Sequence, residues 1–223
     1  MQGASPLETV PVFHLGPVVI TETVVTTWVL IIVMTGLSWL AFRRPSVEAG
    51  TGQTIGEIIV EAIADQVEGI FGKNPWPFVP LIGTLFLFIA TANLSAIVPG
   101  LKSPTAHLET TGALALTVLL SGHFYGLQSN GLRDYLAHYL KPNPIFLPLN
   151  ILSEITRTFS LMVRLFGNIM SHELIIGIIL VLAGLLVPIP FMVLGIMIGL
   201  VQAYVFSILA AVYIGAAISG TEA

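Results

Sequence analysis

Arg164 has the most chemistry to account for. It stands in Ser160-Leu-Met-Val-Arg164-Leu-Phe-Gly-Asn168-Ile-Met-Ser-His172-Glu173-Leu174, inside a long apolar stretch. An arginine near a bilayer centre is costly, and persists where it faces protein, water or a counter-charge. Two roles fit it: a stabilising pair or snorkelling side chain, or a working charge on an ion path. At about 100° per residue, Arg157, Ser160, Arg164, Asn168 and Ser171 fall on one narrow stripe of a helix. Glu173 points to the opposite side, about 13 Å further along the axis. One helix therefore offers a cation to one surface and a carboxylate to another. His172, about 100° from Glu173, makes a pair that can pass a proton, order water or simply satisfy itself.

Other polar groups frame this helix. Gly195, Gly199 and Gln202 share one face of the last apolar segment, opposite the arginine stripe. The Gly195-x-x-x-Gly199 spacing permits close helix packing, and Gln202 needs a polar partner in a dry setting. Glu109, with His107, Thr110 and Thr111, opens an earlier apolar run, as the mouth of an aqueous path or as an ordinary polar loop. The chain has no cysteine, so disulfides and thiolate metal sites are excluded. No catalytic triad order, metal-ligand cluster or phosphate-binding glycine loop is visible. No metal, no cofactor and no catalysis by the chain alone are expected.

The elements that hold these residues must sit in lipid. The chain is 55% apolar and 9% charged, against about a quarter charged in soluble domains. The net charge of -4 speaks against a nucleic-acid partner. The first basic residue is Arg43, so no positive signal-peptide n-region precedes the first apolar run, and residues 24–42 are expected to be a retained span. Arg43 and Arg44 place its C-terminal end in the cytoplasm. Residues 54–71 alternate an isoleucine-rich face with Glu57, Glu61, Asp65 and Glu68. They predict an amphipathic helix on the cytoplasmic surface, whose acidic face meets either solvent or a protein partner. Spans follow at 78–98 and 110–127. Beyond Pro148 no proline occurs until Pro188. A helix over 149–187 would run nearly 60 Å, about twice the hydrocarbon thickness, so it contains a hidden break or lies strongly tilted. Pro188-Ile189-Pro190 is expected to turn the chain into a last helix over 191–219. The fold class is an all-α integral membrane protein, one domain over residues 1–223. About five membrane helices are expected, the last two forming a long, strongly tilted hairpin.

At Arg164-Leu-Phe-Gly-Asn168, followed by Glu173-Leu174, the chain resembles subunit a of F-type ATP synthases. Asn93-Leu-Ser-Ala-Ile-Val-Pro99-Gly100 is similar to the end of that family's second span. Lys141-Pro-Asn-Pro-Ile-Phe-Leu-Pro-Leu-Asn150 is similar to the approach to its hairpin, and Gln202-Ala203 with Val212-Tyr213 to its last helix. The resemblance implies a membrane subunit pressed against a rotating ring of c subunits, held by peripheral-stalk b subunits and bathed in lipid. It implies that Arg164 faces the ring's ion-binding carboxylate and keeps two aqueous half-channels apart. It further implies that Glu173, His172, Asn168, Gln202, Glu109, His107 and Tyr213 line or border those paths. The carried ion is H+ or Na+. The chain departs from the pattern at His107 and Glu109, where many members have Asp and Asn. It departs again at Asn150, near where several carry a channel glutamate, and at Arg157-Thr158. Two other classes remain open: a free-standing secondary transporter, whose internal repeat is not visible, and a scaffold that conducts nothing.

Overall fold

The computed structural model describes residues 11–15, 18–43, 50–72, 74–96, 103–140, 147–184 and 186–219. Two short strands, β1 (Pro11–Leu15) and β2 (Val18–Thr21), form an antiparallel hairpin with an irregularity between Pro11 and Phe13. The sequence reading had no strand here. The β-branched run Val18-Val19-Ile20-Thr21 favours extended backbone, and so short a segment carries little periodicity to read. Helices α1 (Glu22–Phe42), α2 (Thr51–Phe71), α3 (Val79–Ser95), α4 (Leu108–Leu140), α5 (Leu147–Ala183) and α6 (Pro188–Ser219) follow, with a 3-10 turn at Pro104–Ala106 before α4.

The fold is that of an all-α membrane protein, the terminal hairpin aside. α1, α5 and α6 are each long and apolar enough to cross a bilayer, and α3 is a shorter apolar helix. Many of their large side chains face outward: Val181 and Leu182 are at least 80% exposed. Apolar exposure on that scale is stable only against lipid or another protein.

α5 and α6 form the expected hairpin with shifted bounds. The chain turns at Gly184, whose φ of 77° suits a residue without a Cβ. Pro188 opens α6 instead of turning the chain, because its fixed φ and missing N–H fit the first helical turn. The expected limits of 149–187 and 191–219 therefore become Leu147–Ala183 and Pro188–Ser219. α5 is one continuous helix, so the alternative of a hidden break falls. Its 37 residues span about 55 Å, so it must tilt or emerge from a layer about 30 Å thick.

α4 runs past the expected end at residue 127. The first helical piece ends at the non-helical Gly131, where φ is 78° and ψ 157°, and a second piece runs on to Leu140. Apolar character fades near Leu127, but helix formation does not require it.

α2 carries its acidic residues outward and buries Ala64 and Val67 against Val79 and Ile82 of α3 and Ala211 of α6. Gly72 ends it in the left-handed region, its N–H donating to Glu68 O at 2.8 Å. The main core joins α3, α4, α5 and α6 through Leu85, Ile89, Val118, Leu161, Leu165 and Phe206. Leu161, Leu165 and Ile169 seat one side of α5 in that core, which fixes the rotation of the whole helix.

Candidate functional site

That rotation decides what α5 shows outside. Arg164 precedes buried Leu165 and is itself exposed. Among the described residues, no carboxylate lies within ion-pair reach of it. One turn on, Asn168 Nδ2 donates to Gln202 Oε1 of α6 at 2.8 Å. Gln202 is 5% exposed, and its Nε2 is buried without a partner among the described residues. An unmet buried donor costs about 1–3 kcal/mol, so this amide is poised to bind whatever polar group reaches it. Asn168, on the same stripe as Arg164, supplies a partner to the Gln202 carbonyl.

A second contact joins the same two helices. His172 packs onto Gly195, and a Cβ at Gly195 would lie 1.7 Å from the imidazole Nε2. Gly195 therefore serves as the floor for a histidine. Gly199 has a different duty. Its carbonyl accepts from Asn93 Nδ2 of α3 at 2.8 Å, and a Cβ there would lie 2.8 Å from that of Asn93. The two glycines thus admit two different helices, whereas their spacing alone suggested one shared seam.

Glu173 points away from the arginine stripe, and its Oε1 accepts from the backbone N–H of Ser103 at 3.2 Å. Ser103 begins a buried polar chain that sequence reading missed. Ser103 Oγ contacts Ala92 O at 2.8 Å and Thr105 Oγ1 at 2.7 Å. Thr105 Oγ1 donates to Asn93 Oδ1 at 2.6 Å. A serine and a threonine beside a proline read as ordinary loop residues, and only the approach of α3 and α5 makes them a buried network. His107 is half-buried, and its carbonyl accepts from Thr111 N and Oγ1, each at 3.2 Å. Glu109 is exposed in the first turn of α4, where a carboxylate suits the helix dipole.

A further polar group lies towards the other end of α5. Arg157 stacks its guanidinium over the Tyr213 ring at 5.6 Å. Those two residues, with Glu154, Thr158 and Gly122, line a cavity of about 40 Å3, enough for a water molecule. His123 of α4 joins it: Nδ1 donates to Leu119 O at 2.8 Å, and Nε2 lies 3.5 Å from Glu154 Oε1. His123 was not singled out in the sequence, because Glu154, which it faces, lies far along the chain. Tyr213 thus belongs with Glu154 and Arg157, apart from Glu173. Along the axis, Arg164 stands about 15 Å from Glu154 and about 13 Å from Glu173. Among the described residues, no cluster of three His, Cys, Asp or Glu side chains is placed to hold a metal.

The family model for the ATP synthase A chain matches residues 24–215. The chain is 53% identical over 215 residues to ATP synthase subunit a 2 of Bradyrhizobium sp. (strain BTAi1 / ATCC BAA-1182), covering 96% of each protein. It is 47% identical to ATP synthase subunit a 2 of Pelobacter propionicus, over 95% of this chain and 92% of that one. It is 45% identical to ATP synthase subunit a 1 of Hahella chejuensis, over 93% and 88%.

Proposed function

Since the chain belongs to the ATP synthase A chain family, we propose that it is the stator half of the ion-driven motor, with Arg164 as the charge that separates two ion paths. It is a multi-pass membrane component of ATP synthase and does not itself turn over ATP. One observation carries the finer reading: an exposed arginine, with no carboxylate in reach among the described residues, stands midway along α5, between the water-sized cavity at Glu154 and the carboxylate of Glu173. Each polar group is an access route from one side of the membrane, and neither extends past the arginine.

The physics of the step follows from the guanidinium. It stays protonated at any working pH and stabilises the charged form of an approaching carboxylate. A ring of c subunits that presents one carboxylate at a time would give up its cation on reaching Arg164. It would reload from the other path after turning. The exposed faces of α5 and α6 are where such a ring would press, with b subunits and lipid covering the remainder. The named relatives are bacterial, so the proposed location is a bacterial plasma (inner) membrane. The coupling ion in this reading is H+ or Na+.

Arg164→Lys tests it. The variant keeps a positive charge but loses the planar fork that engages a carboxylate. The complex is expected to assemble with normal subunit composition and to lose ATP-driven ion uptake. Near-normal uptake would sink the assignment, and failure to assemble would favour a scaffold.

A further inference from the structure

A groove of about 400 Å3 lies between α2, α3 and α6. Pockets that hold small organic ligands run from roughly 300 to 1,000 Å3. Ile59, Ile63 and Ile70 of α2, Phe86 of α3 and Ile208 of α6 supply its walls. Tyr204 and Ala211 also face it. They fall roughly 180° and 160° around α6 from Gly195, the residue that meets α5. The groove is therefore on the far side of α6 from the ion-path helix. Its polar side chains are Gln66, Tyr204 and Ser207. Tyr204 OH donates to Gln66 Oε1 at 3.1 Å, and Ser207 Oγ donates to Ala203 O at 2.9 Å. Both hydroxyl protons are thus spent within the protein. A polar occupant would give up its hydrogen bonds to water on entering, which is costly. Hydrocarbon gives up nothing.

The rotation of α2 supplies the other half of the site. Ile58 and Ala62 both belong to the groove wall. Asp65 falls roughly 20° around the helix from Ile58 and 60° from Ala62, with Glu61 a further 40° round. Both carboxylates are exposed, and α2 has no Lys or Arg between Thr51 and Phe71. The wall extends over residues 58–70, about 18 Å along the axis. That is a little more than half of a hydrocarbon layer about 30 Å thick. An apolar slot one leaflet long, bordered by carboxylates, matches an amphiphile with a hydrocarbon tail and a cationic group in its head.

We propose that this groove holds one acyl chain of phosphatidylethanolamine, whose ammonium lies against Asp65 and Glu61. The headgroup is zwitterionic, so its phosphate adds no net charge to the acidic border. Anionic phospholipids, which basic segments attract, meet like charge here. The bound chain fills the space between the surface helix and α6, which the Tyr204–Gln66 bond spans. The site needs only the membrane setting of the chain and stands apart from the ion-conduction reading.

The test places the intact complex in phosphatidylcholine nanodiscs. The probe is a trace of phosphatidylethanolamine with a photoactivatable diazirine in its acyl chain. After illumination, labelled peptides are mapped by mass spectrometry. Residues 58–70 and 204–211 should be labelled. Unlabelled phosphatidylethanolamine should displace the probe there about fivefold more effectively than phosphatidylglycerol, the usual weight of a charge near a membrane surface. Glu61→Lys with Asp65→Lys should reverse that order. Ala62 is exposed on the groove wall, so Ala62→Phe should fill the slot from the surface and cut labelling there about tenfold. Labelling of the outward face of α1 should not change. Three results would overturn the site. Equal displacement by the two headgroups would mean that the groove meets only bulk lipid. Groove peptides left unlabelled while α1 is labelled would mean that a partner's helix fills the space. Undiminished labelling in assembled Ala62→Phe would place the chain elsewhere. If that variant fails to assemble, the displacement order on the parent complex decides.

Discussion

At the scale of single residues, His172 and Gly195 act as one unit. Because the imidazole occupies the volume of a missing Cβ, Gly195→His overpacks α5 against α6, typically a loss of about 1–3 kcal/mol. His172→Gly empties the place beside Glu173. Each is expected to impair ATP-driven transport, and the double change to recover part of it, because contacting sites are not additive. Strictly additive losses across the four-member cycle would show that the two positions do not share one polar site. The carboxylates call for a different experiment. Glu173 is tied to the turn at Ser103, and Glu109 is exposed at the start of α4. Replacing each with glutamine should slow transport while leaving the complex intact. Unaltered rates and ion dependence in both variants would remove them from the path. The sequence made these residues visible as polar groups in apolar surroundings. It did not reveal their partners, since the bonds of Glu173 to Ser103 and of Asn93 to Gly199 join distant positions.

At the scale of elements, α3 and α6 are held together by a buried amide. Asn93 fills the space beside Gly199 and bonds its carbonyl. Asn93→Ala leaves the Thr105 hydroxyl and the Gly199 carbonyl each short of a partner. Unmet buried groups cost about 1–3 kcal/mol each. Thermal unfolding of the purified complex should show subunit dissociation at lower temperature. A parent-like profile would mean that water replaces the amide at no cost. Most helices were legible from apolar run length, as α1 and α3 illustrate. Boundaries were less so, because they depend on backbone detail. Gly184 turns the chain before Pro188 can, and Gly131 divides α4 into two helical pieces. The β1–β2 hairpin went unseen because a two-stranded ribbon takes its form from neighbours more than from pattern.

For the whole molecule, the chain by itself is an incomplete solid. Its core occupies the centre, where α3, α4, α5 and α6 meet. The long outward faces of α5 and α6 bring Leu182, Val193, Met197 and Val201 to the surface along with Arg164. The leucines and valines are at ease in hydrocarbon, but the guanidinium is not. A newly inserted copy therefore has a defect that only a partner's carboxylate or water can mend. A membrane protease that recognises poorly seated helices should remove unassembled chains and spare assembled ones. In a pulse-chase, the chain should decay quickly when the ring subunit is not synthesised, and Arg164→Leu should lengthen its survival under that condition. Equal half-lives for the two would mean that the lone arginine finds shelter unaided. If Arg164→Leu does survive longer, the residue proposed to separate the ion paths also sets stoichiometry, by making surplus copies short-lived.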